Sequence, residues 1–99
     1  MDIPVQGEKT EDQHTAEMAA YVDARIDEVR QCAHPAVGEV LRFFKCSHLP
    51  PHLRGVSAIV GSTAYGVAAN PRLSGAELTV GLRKLLEAKD CFVRSALPK

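Results

Sequence analysis

The sequence feature that most constrains the fold of this chain is the absence of a charged residue between Arg54 and Arg72. Proline suits the first turn of a helix and cannot continue one, so Pro51 and Pro71 bound a predicted helix over residues 51–69. A helix without a charged face is normally covered on most of its sides. Because one partner helix cannot cover every side, we predict that this helix is central in an oligomer.

Small residues inside this stretch predict the close approach of another backbone. Gly55, Gly61 and Gly66 each cost about 0.5–1 kcal/mol relative to alanine in a helix interior. Such a loss is easier to explain where a neighbouring backbone packs directly against the helix. Ala58 and Ser62 precede Gly66 at intervals of four residues, and the three form a ridge of small side chains suited to that approach.

A second helix is predicted near the amino terminus. Thr10 and Gln13 fit a capping box, which favours a helix that begins near Glu11. One apolar stripe follows at helical spacing: Met18, Val22, Ile26, Val29 and Ala33. His34-Pro35 interrupts this pattern, because the residue before proline is pushed away from helical geometry. Pro35 therefore either kinks one long helix or separates two helices.

A third helix is predicted after Asn70-Pro71. Asparagine tolerates the left-handed conformation that often ends a helix, and Ser74 with Glu77 fits a second capping box. The next apolar residues share one broad face: Leu78, Leu82, Leu85, Leu86, Phe92, Val93, Ala96 and Leu97. Lys89 projects into the middle of this face, where it extends to solvent, meets an acidic side chain or contacts a ligand.

Together these elements predict an all-α fold. An N-terminal helix, kinked or divided at Pro35, precedes an antiparallel αα-hairpin in an oligomeric helical assembly. The predicted organisation is a flexible tail over residues 1–9, an N-terminal helical region over residues 10–46 and the hairpin domain over residues 47–99.

The charges are unevenly distributed along the chain, although their sum is zero. Residues 1–34 carry eight acidic and three basic side chains, whereas residues 35–99 carry four acidic and nine basic ones. A basic segment attracts phosphates, and it also attracts an acidic segment of the same or another chain. Our default interpretation is that the two parts of the chain attract each other.

Cysteine and histidine residues do not follow the spacing of common metal sites. Cys32 and Cys46 each precede a histidine by two positions, whereas zinc ligands usually lie further apart. The third cysteine, Cys91, leaves an odd number without a disulfide framework, so we predict three reduced packing residues. No pattern of a strand followed by a phosphate-binding loop occurs. We expect no enzyme, no metal and no cofactor.

The densest run of basic residues surrounds the Pro50-Pro51 turn and comprises Arg42, Lys45, His48, His52 and Arg54. Such side chains form charge-assisted hydrogen bonds with phosphates, although a solvated loop is the more frequent role of such a run. DNA binding by a helix-turn-helix is a rival interpretation. Arg83 and Lys84 come two turns into the last predicted helix, which disfavours contact from its first turn.

Short motifs resemble the hairpin domain of small phage proteins that sequester cyclic oligonucleotides. The similarity covers Phe44–Leu97 and rests on Phe44-Lys45, His48, Pro50-Pro51 and the run from Leu82 to Ala88. Such sponges blunt CBASS-type antiviral signalling, and a related hairpin occurs in sponges against Thoeris signalling. The resemblance implies an all-helical hexamer that binds cyclic dinucleotides in pockets shared by protomers.

The resemblance also implies ligand-binding residues. A tyrosine of the N-terminal helix stacks on a base in that family, and a lysine near the entry loop contacts phosphate; by position these are Tyr21 and Lys45. The chemistry agrees, since aromatic faces stack on bases and lysine pairs with phosphate. The complete candidate set is Tyr21, Lys45, His48, Arg54 and Thr79, with no catalytic residue and no metal ligand.

Three departures from the family pattern concern the ligand. The usual Tyr-His-Pro-Pro is Ser47–Pro51 here, which is one residue longer. A basic residue that often precedes the first hydroxyl residue of the last helix is Leu78, before Thr79. The usual Ala-Asn-Ala ending is replaced by Val93–Ala96. These departures leave open whether a second, trinucleotide-type pocket exists.

We therefore predict a phage protein of the host cytoplasm that sequesters a cyclic di- or trinucleotide as a homo-oligomer. The alternative is a helical protein-interaction or DNA-binding module without a small ligand. We expect no membrane partner, because no apolar run approaches the roughly 20 residues that span a bilayer, and we do not expect nucleic acid as a partner.

Overall fold

A computed structural model describes residues 10–98, which contain α-helices and one 3₁₀ turn but no strand. The elements are α1 (Glu11–Cys32), α2 (Pro35–Leu41), the 3₁₀ turn (Arg42–Phe44), α3 (Pro51–Ala69) and α4 (Gly75–Ala96). The predicted all-helical fold class is confirmed. The tail predicted over residues 1–9 lies outside the described residues.

Helix α1 begins as its capping box predicts. The Gln13 N–H donates to Thr10 Oγ1 at 3.1 Å, and the Thr10 N–H donates to Gln13 Oε1 at 2.9 Å. Two donors of the first turn, which have no partner within the helix, are therefore satisfied. Val22 and Ile26 of the predicted apolar stripe are buried, together with the neighbouring Ala19, and the other members of the stripe are half-buried.

Pro35 is the boundary between two helices. Ala33 and His34 both have extended backbone conformations, as steric contact with the proline ring favours for the preceding residue. His34 caps α2, because its Nδ1 accepts the Ala36 N–H at 3.1 Å. The Arg30 Nε donates to the Gly38 carbonyl at 2.9 Å and holds α2 against α1.

Helices α1 and α3 pack in parallel and contribute half of the buried core residues. The start of α3 contacts the start of α1 through Arg54 and Thr15, and Gly61 lies further along against Val22 and Ile26. Phe44 is fully buried beside this contact. The predicted bounds of α3 agree with the structure, since Pro51 lies in its first turn and Pro71 follows its end.

The turn from α3 to α4 differs from its predicted caps. Asn70 is extended, with φ −72° and ψ 120°, because Pro71 follows it, and its Oδ1 accepts the Arg72 N–H at 2.9 Å instead. The second capping box is also wrong: Ser74 makes no side-chain capping bond. The chain enters α4 through Gly75, whose φ of +78° suits glycine and departs from a normal helix start.

Helix α4 packs against α3 and α2 but buries little of its apolar face. Leu82 is its buried residue, whereas Leu78, Leu85 and Leu86 are half-buried. Phe92 remains 53% exposed. The Lys89 Nζ donates to the Phe43 carbonyl at 2.8 Å, so this lysine ties α4 to the 3₁₀ turn.

Candidate functional site

The loop of residues 45–50, called the entry loop here, is attached to α1 by two carboxylates one helical turn apart. Asp23 accepts the N–H groups of Cys46 and Ser47 at 2.8 and 3.1 Å. Asp27 accepts two hydrogen bonds from the Lys45 Nζ, at 2.9 and 3.1 Å. The loop is therefore fixed by backbone and side-chain contacts, and its lysine already has an anionic partner.

Arg54 ties the start of α3 to the start of α1. Its guanidinium donates to Thr15 Oγ1 at 3.3 and 3.2 Å and to the Asp12 carbonyl at 3.0 Å. It also donates to the Leu49 carbonyl at 3.4 Å, at the end of the entry loop. All three guanidinium nitrogens donate in these bonds, so Arg54 stabilises the junction of α1, the entry loop and α3.

The candidate site residues do not converge within one chain. The α1 partners of Lys45 and Arg54 are Asp27 and Thr15, twelve residues or about 18 Å apart along the helix. Tyr21 is 60% exposed, and it lies roughly 120° around α1 from Asp27. His48 is exposed in the same entry loop as Lys45, whereas Thr79 is half-buried in a different segment, the second turn of α4.

Contacts within the chain bring part of its acidic N-terminal segment against part of its basic C-terminal segment. Asp23 and Asp27 were not singled out as site residues from the sequence, yet they receive the entry loop. Two features of the sequence were available to indicate this role: the spacing of four residues between the two aspartates, and the excess of acidic residues before residue 35. Arg42 is also paired, with Glu39 at 2.7 Å. Three cations of the basic run therefore have protein partners.

The three cysteines differ in environment and are all free. Cys46 is fully buried, as predicted for a packing residue, whereas Cys32 and Cys91 are exposed, so the packing prediction is wrong for those two. Burial and then the nearby Asp23 carboxylate raise the pKa of the Cys46 thiol to about 12. The buried thiol stays protonated and unreactive at neutral pH.

Cys46 makes folding stability sensitive to alkaline pH. The unfolded thiol loses its proton near its ordinary pKa of 9.0, whereas the folded thiol keeps it up to about 12. The unfolded state then binds fewer protons, so the free energy of unfolding falls as pH rises above 9, by at most about 1.4 kcal/mol per pH unit. Urea denaturation between pH 8 and 11 measures this slope.

The variant Cys46→Val is the control for that titration, because valine has a similar size and no ionisable group. We expect its stability to fall less steeply than that of the original chain over the same pH range. Equal slopes for the two proteins would show that other groups cause the alkaline loss.

Two negative findings apply to residues 10–98. No group of three or more histidine, cysteine or acidic side chains is arranged to hold a metal ion there. Within the same residues, no helix combines the length and the apolar character needed to cross a membrane.

An uncovered apolar surface runs along α3 and α4. Ile59 is 65% exposed and Phe92 is 53% exposed, and both line one cleft together with Val56, Val60 and Ala96. Ser62 and Gly66 of the small-residue ridge are exposed on α3, whereas Ala58 is buried. We call Val56, Ile59, Ser62, Gly66 and Phe92 the α3–α4 surface; Val56 is half-buried and the other four are exposed.

Comparison of the chain with protein families, with curated proteins and with solved structures gives no match.

Proposed function

We propose that this protein is a phage sponge that binds cyclic nucleotide second messengers without cleaving them, and that it does so as a homo-oligomer. The observation that carries the proposal is the uncovered α3–α4 surface, because it supports assembly of a chain whose candidate ligand-binding side chains lie on separate segments. Assembly brings such groups together between copies, as in the hexamers of the family that Phe44–Leu97 resembles.

The apolar exposure supports assembly. Monomeric proteins rarely leave large contiguous apolar patches exposed, and such patches commonly mark interaction sites. The residues of α3 beyond Arg54 carry no charge, and its exposed residues include Ile59, Ser62 and Gly66. A second copy offers the same uncharged surface, so an isologous contact leaves no charge unpaired.

The chemistry of Lys45 and Tyr21 supports the ligand class. The Lys45 side chain is 34% exposed, so its ammonium is accessible to a phosphate that competes with Asp27. Tyr21 projects from the rigid α1 with most of its ring uncovered, which suits stacking on a base. Cyclic dinucleotides present two phosphates and two base faces, and the proposed oligomer supplies each type of group more than once.

Replacing either side chain tests the site. Lys45→Ala removes a phosphate contact worth about 1.5–3 kcal/mol, and Tyr21→Ala removes a stack worth about 1–3 kcal/mol. We expect each to weaken cyclic dinucleotide binding roughly tenfold or more. Calorimetry with cyclic di-AMP, cyclic di-GMP and cyclic GMP–AMP measures the affinities, and chromatography after denaturation checks that the ligand is returned intact.

Conservative variants are the matched controls. Lys45→Arg keeps the cation and Tyr21→Phe keeps the ring, so both are expected to retain most of the affinity. Equal binding by the original chain and by both alanine variants would contradict the site assignment. Absence of binding by the original chain to every cyclic nucleotide tested, trinucleotides included, would contradict the sponge itself.

The oligomer is tested separately at Ser62. This side chain is exposed on α3, so Ser62→Arg leaves the fold of the single chain intact while it inserts an unpaired charge into the proposed contact. We expect light scattering to show an oligomer for the original chain and smaller species for Ser62→Arg, with unchanged circular dichroism. A monomeric original chain would contradict the assembly.

The helical interaction module remains a second candidate, favoured by the cleft that Ile59 and Phe92 line. An amphipathic helix of another protein fits such an apolar groove as well as a second copy does. A monomeric chain that binds no cyclic nucleotide is the outcome that this alternative predicts.

A further inference from the structure

A cavity of about 540 Å³ opens where α1 and α3 end and where α2 and α4 begin. Its apolar wall includes Val29, Val37, Ala68 and Leu78, which come from four different helices. Small-molecule sites have volumes of roughly 300–1,000 Å³ and mostly apolar walls with a few placed polar groups. The size and the lining of this cavity therefore match a small ligand, and walls from four segments enclose it more than a flat helix face does.

Two hydrogen-bond donors lie in the cavity lining. His34 Nδ1 accepts the Ala36 N–H, which leaves the proton of the neutral imidazole on Nε2 as a donor. Asn70 Oδ1 accepts the Arg72 N–H, which leaves the Nδ2 amide protons as donors. Both side chains are oriented by these bonds to neighbouring backbone, so a ligand with acceptor atoms suits them.

The charge of the cavity lining disfavours an anionic ligand. Among residues 10–98, no lysine or arginine lines the cavity, and Glu28 is the one charged residue of its lining; it pairs with Arg25 at 2.8 Å. A phosphate or carboxylate placed among the apolar walls would be desolvated without a cation to compensate. The ligand that fits is therefore uncharged.

We propose that this cavity is a binding site for an uncharged, largely apolar small molecule that carries hydrogen-bond acceptors at its edge. Its apolar part packs against the walls formed by Val37, Ala68 and Leu78, and its acceptors face His34 and Asn70. None of the residues proposed to bind a cyclic nucleotide lines the cavity. The site is thus separate from the proposed function and does not depend on it.

Three bicyclic probes of similar shape test the ligand class on the full chain. Quinoxaline has two ring acceptors, naphthalene has none, and naphthalene-1-sulfonate adds an anionic group. We expect quinoxaline to shift the backbone amide resonances of Val37, Ala68 and Leu78, and we expect the sulfonate to bind at least tenfold more weakly than naphthalene. A sulfonate that binds as well as naphthalene overturns the inference that the site takes uncharged ligands.

Removal of one donor tests the hydrogen bonds. His34→Ser keeps a preferred N-cap for α2 but lacks the imidazole N–H. We expect it to weaken quinoxaline binding about fivefold, as for one neutral hydrogen bond, and to leave naphthalene binding unchanged. An equal effect on both probes overturns the role of the donor, because it would reflect altered shape alone.

Ala69→Phe and Ala24→Phe test the location. Ala69 is exposed at the end of α3 and lines the cavity, whereas Ala24 is an exposed alanine of α1 outside its lining. We expect the first variant to weaken quinoxaline binding at least tenfold and the second to leave it unchanged. Bound quinoxaline should also slow alkylation of Cys32, which lines the cavity, without slowing that of the exposed Cys91. Equal binding to both variants, or no protection of Cys32, overturns the site.

Discussion

Gly61→Leu is expected to destabilise the fold by about 2–3 kcal/mol, because no space for a side chain exists where α3 crosses α1. A Cβ at this position would lie 2.7 Å from Val22 Cγ1 and 3.2 Å from the Phe44 carbonyl oxygen. Val22 is β-branched and has one preferred rotamer in a helix, and the carbonyl belongs to the backbone, so neither moves aside at small cost. Urea denaturation followed by circular dichroism measures the loss.

Gly66→Ala is the matched control in the same helix. A Cβ there would meet no atom within 4 Å, so the higher helix propensity of alanine should stabilise the chain by about 0.5–1 kcal/mol. Both variants are best compared in the Ser62→Arg background, since Gly66 belongs to the α3–α4 surface and chain association would otherwise contribute. A similar change in stability for both glycines would contradict the close packing at Gly61.

Local signals predicted the helix limits well. The capping box of Thr10 fixed the start of α1, and the two prolines at the start and after the end of α3 fixed its bounds. Each signal acts through atoms only a few residues apart, so its outcome depends little on the rest of the fold. The presence of the break at Pro35 was predicted for the same reason, although whether it bends or divides the helix depends on how α2 packs against α1.

Two predicted helix caps are wrong, and each of them directly precedes a residue with a restricted or unusual backbone conformation. Pro71 holds Asn70 in an extended conformation, and Gly75 begins α4 with a positive φ directly after the N-cap Ser74, whose side chain makes no capping bond. The rule that proline restricts the residue before it was sufficient to foresee the first case. The second case depended on the path of the whole turn between α3 and α4, and the capping-box pattern carries no information about that path.

Side-chain partners between distant segments were the least predictable part. The sequence predicted that another backbone packs closely against α3, but it did not show at which residue. Gly61 makes this contact within the chain, whereas Ser62 and Gly66 are exposed. The same applies to the basic run, whose Lys45 and Arg54 have partners 18 and 39 residues away in sequence. Such pairings follow from the parallel packing of α1 and α3, which periodicity alone does not determine.

Asp23→Ala is expected to cost about 3 kcal/mol of folding stability, since this carboxylate accepts two backbone N–H groups of the entry loop. Hydrogen bonds to charged groups contribute about 1.5–3 kcal/mol each, and the Cys46 N–H would be left without an acceptor in a partly buried position. We also expect faster hydrogen exchange at the amides of Cys46 and Ser47, because the loop loses its attachment to α1. Urea denaturation and amide exchange measured by NMR check the two effects.

Asp27→Ala provides the control one turn away on the same helix. Asp27 binds the same loop through the Lys45 side chain, and the two side chains are 48% and 34% exposed. Solvent screens such a pair, so its loss should change stability by about 0–1 kcal/mol and leave the exchange of both loop amides nearly unchanged. An equal loss of stability for the two alanine variants would contradict this prediction, because the lysine would then hold the entry loop as strongly as the backbone contacts do. A larger loss for Asp23→Ala instead shows that the contacts of Asp23 with the loop backbone contribute most of the attachment.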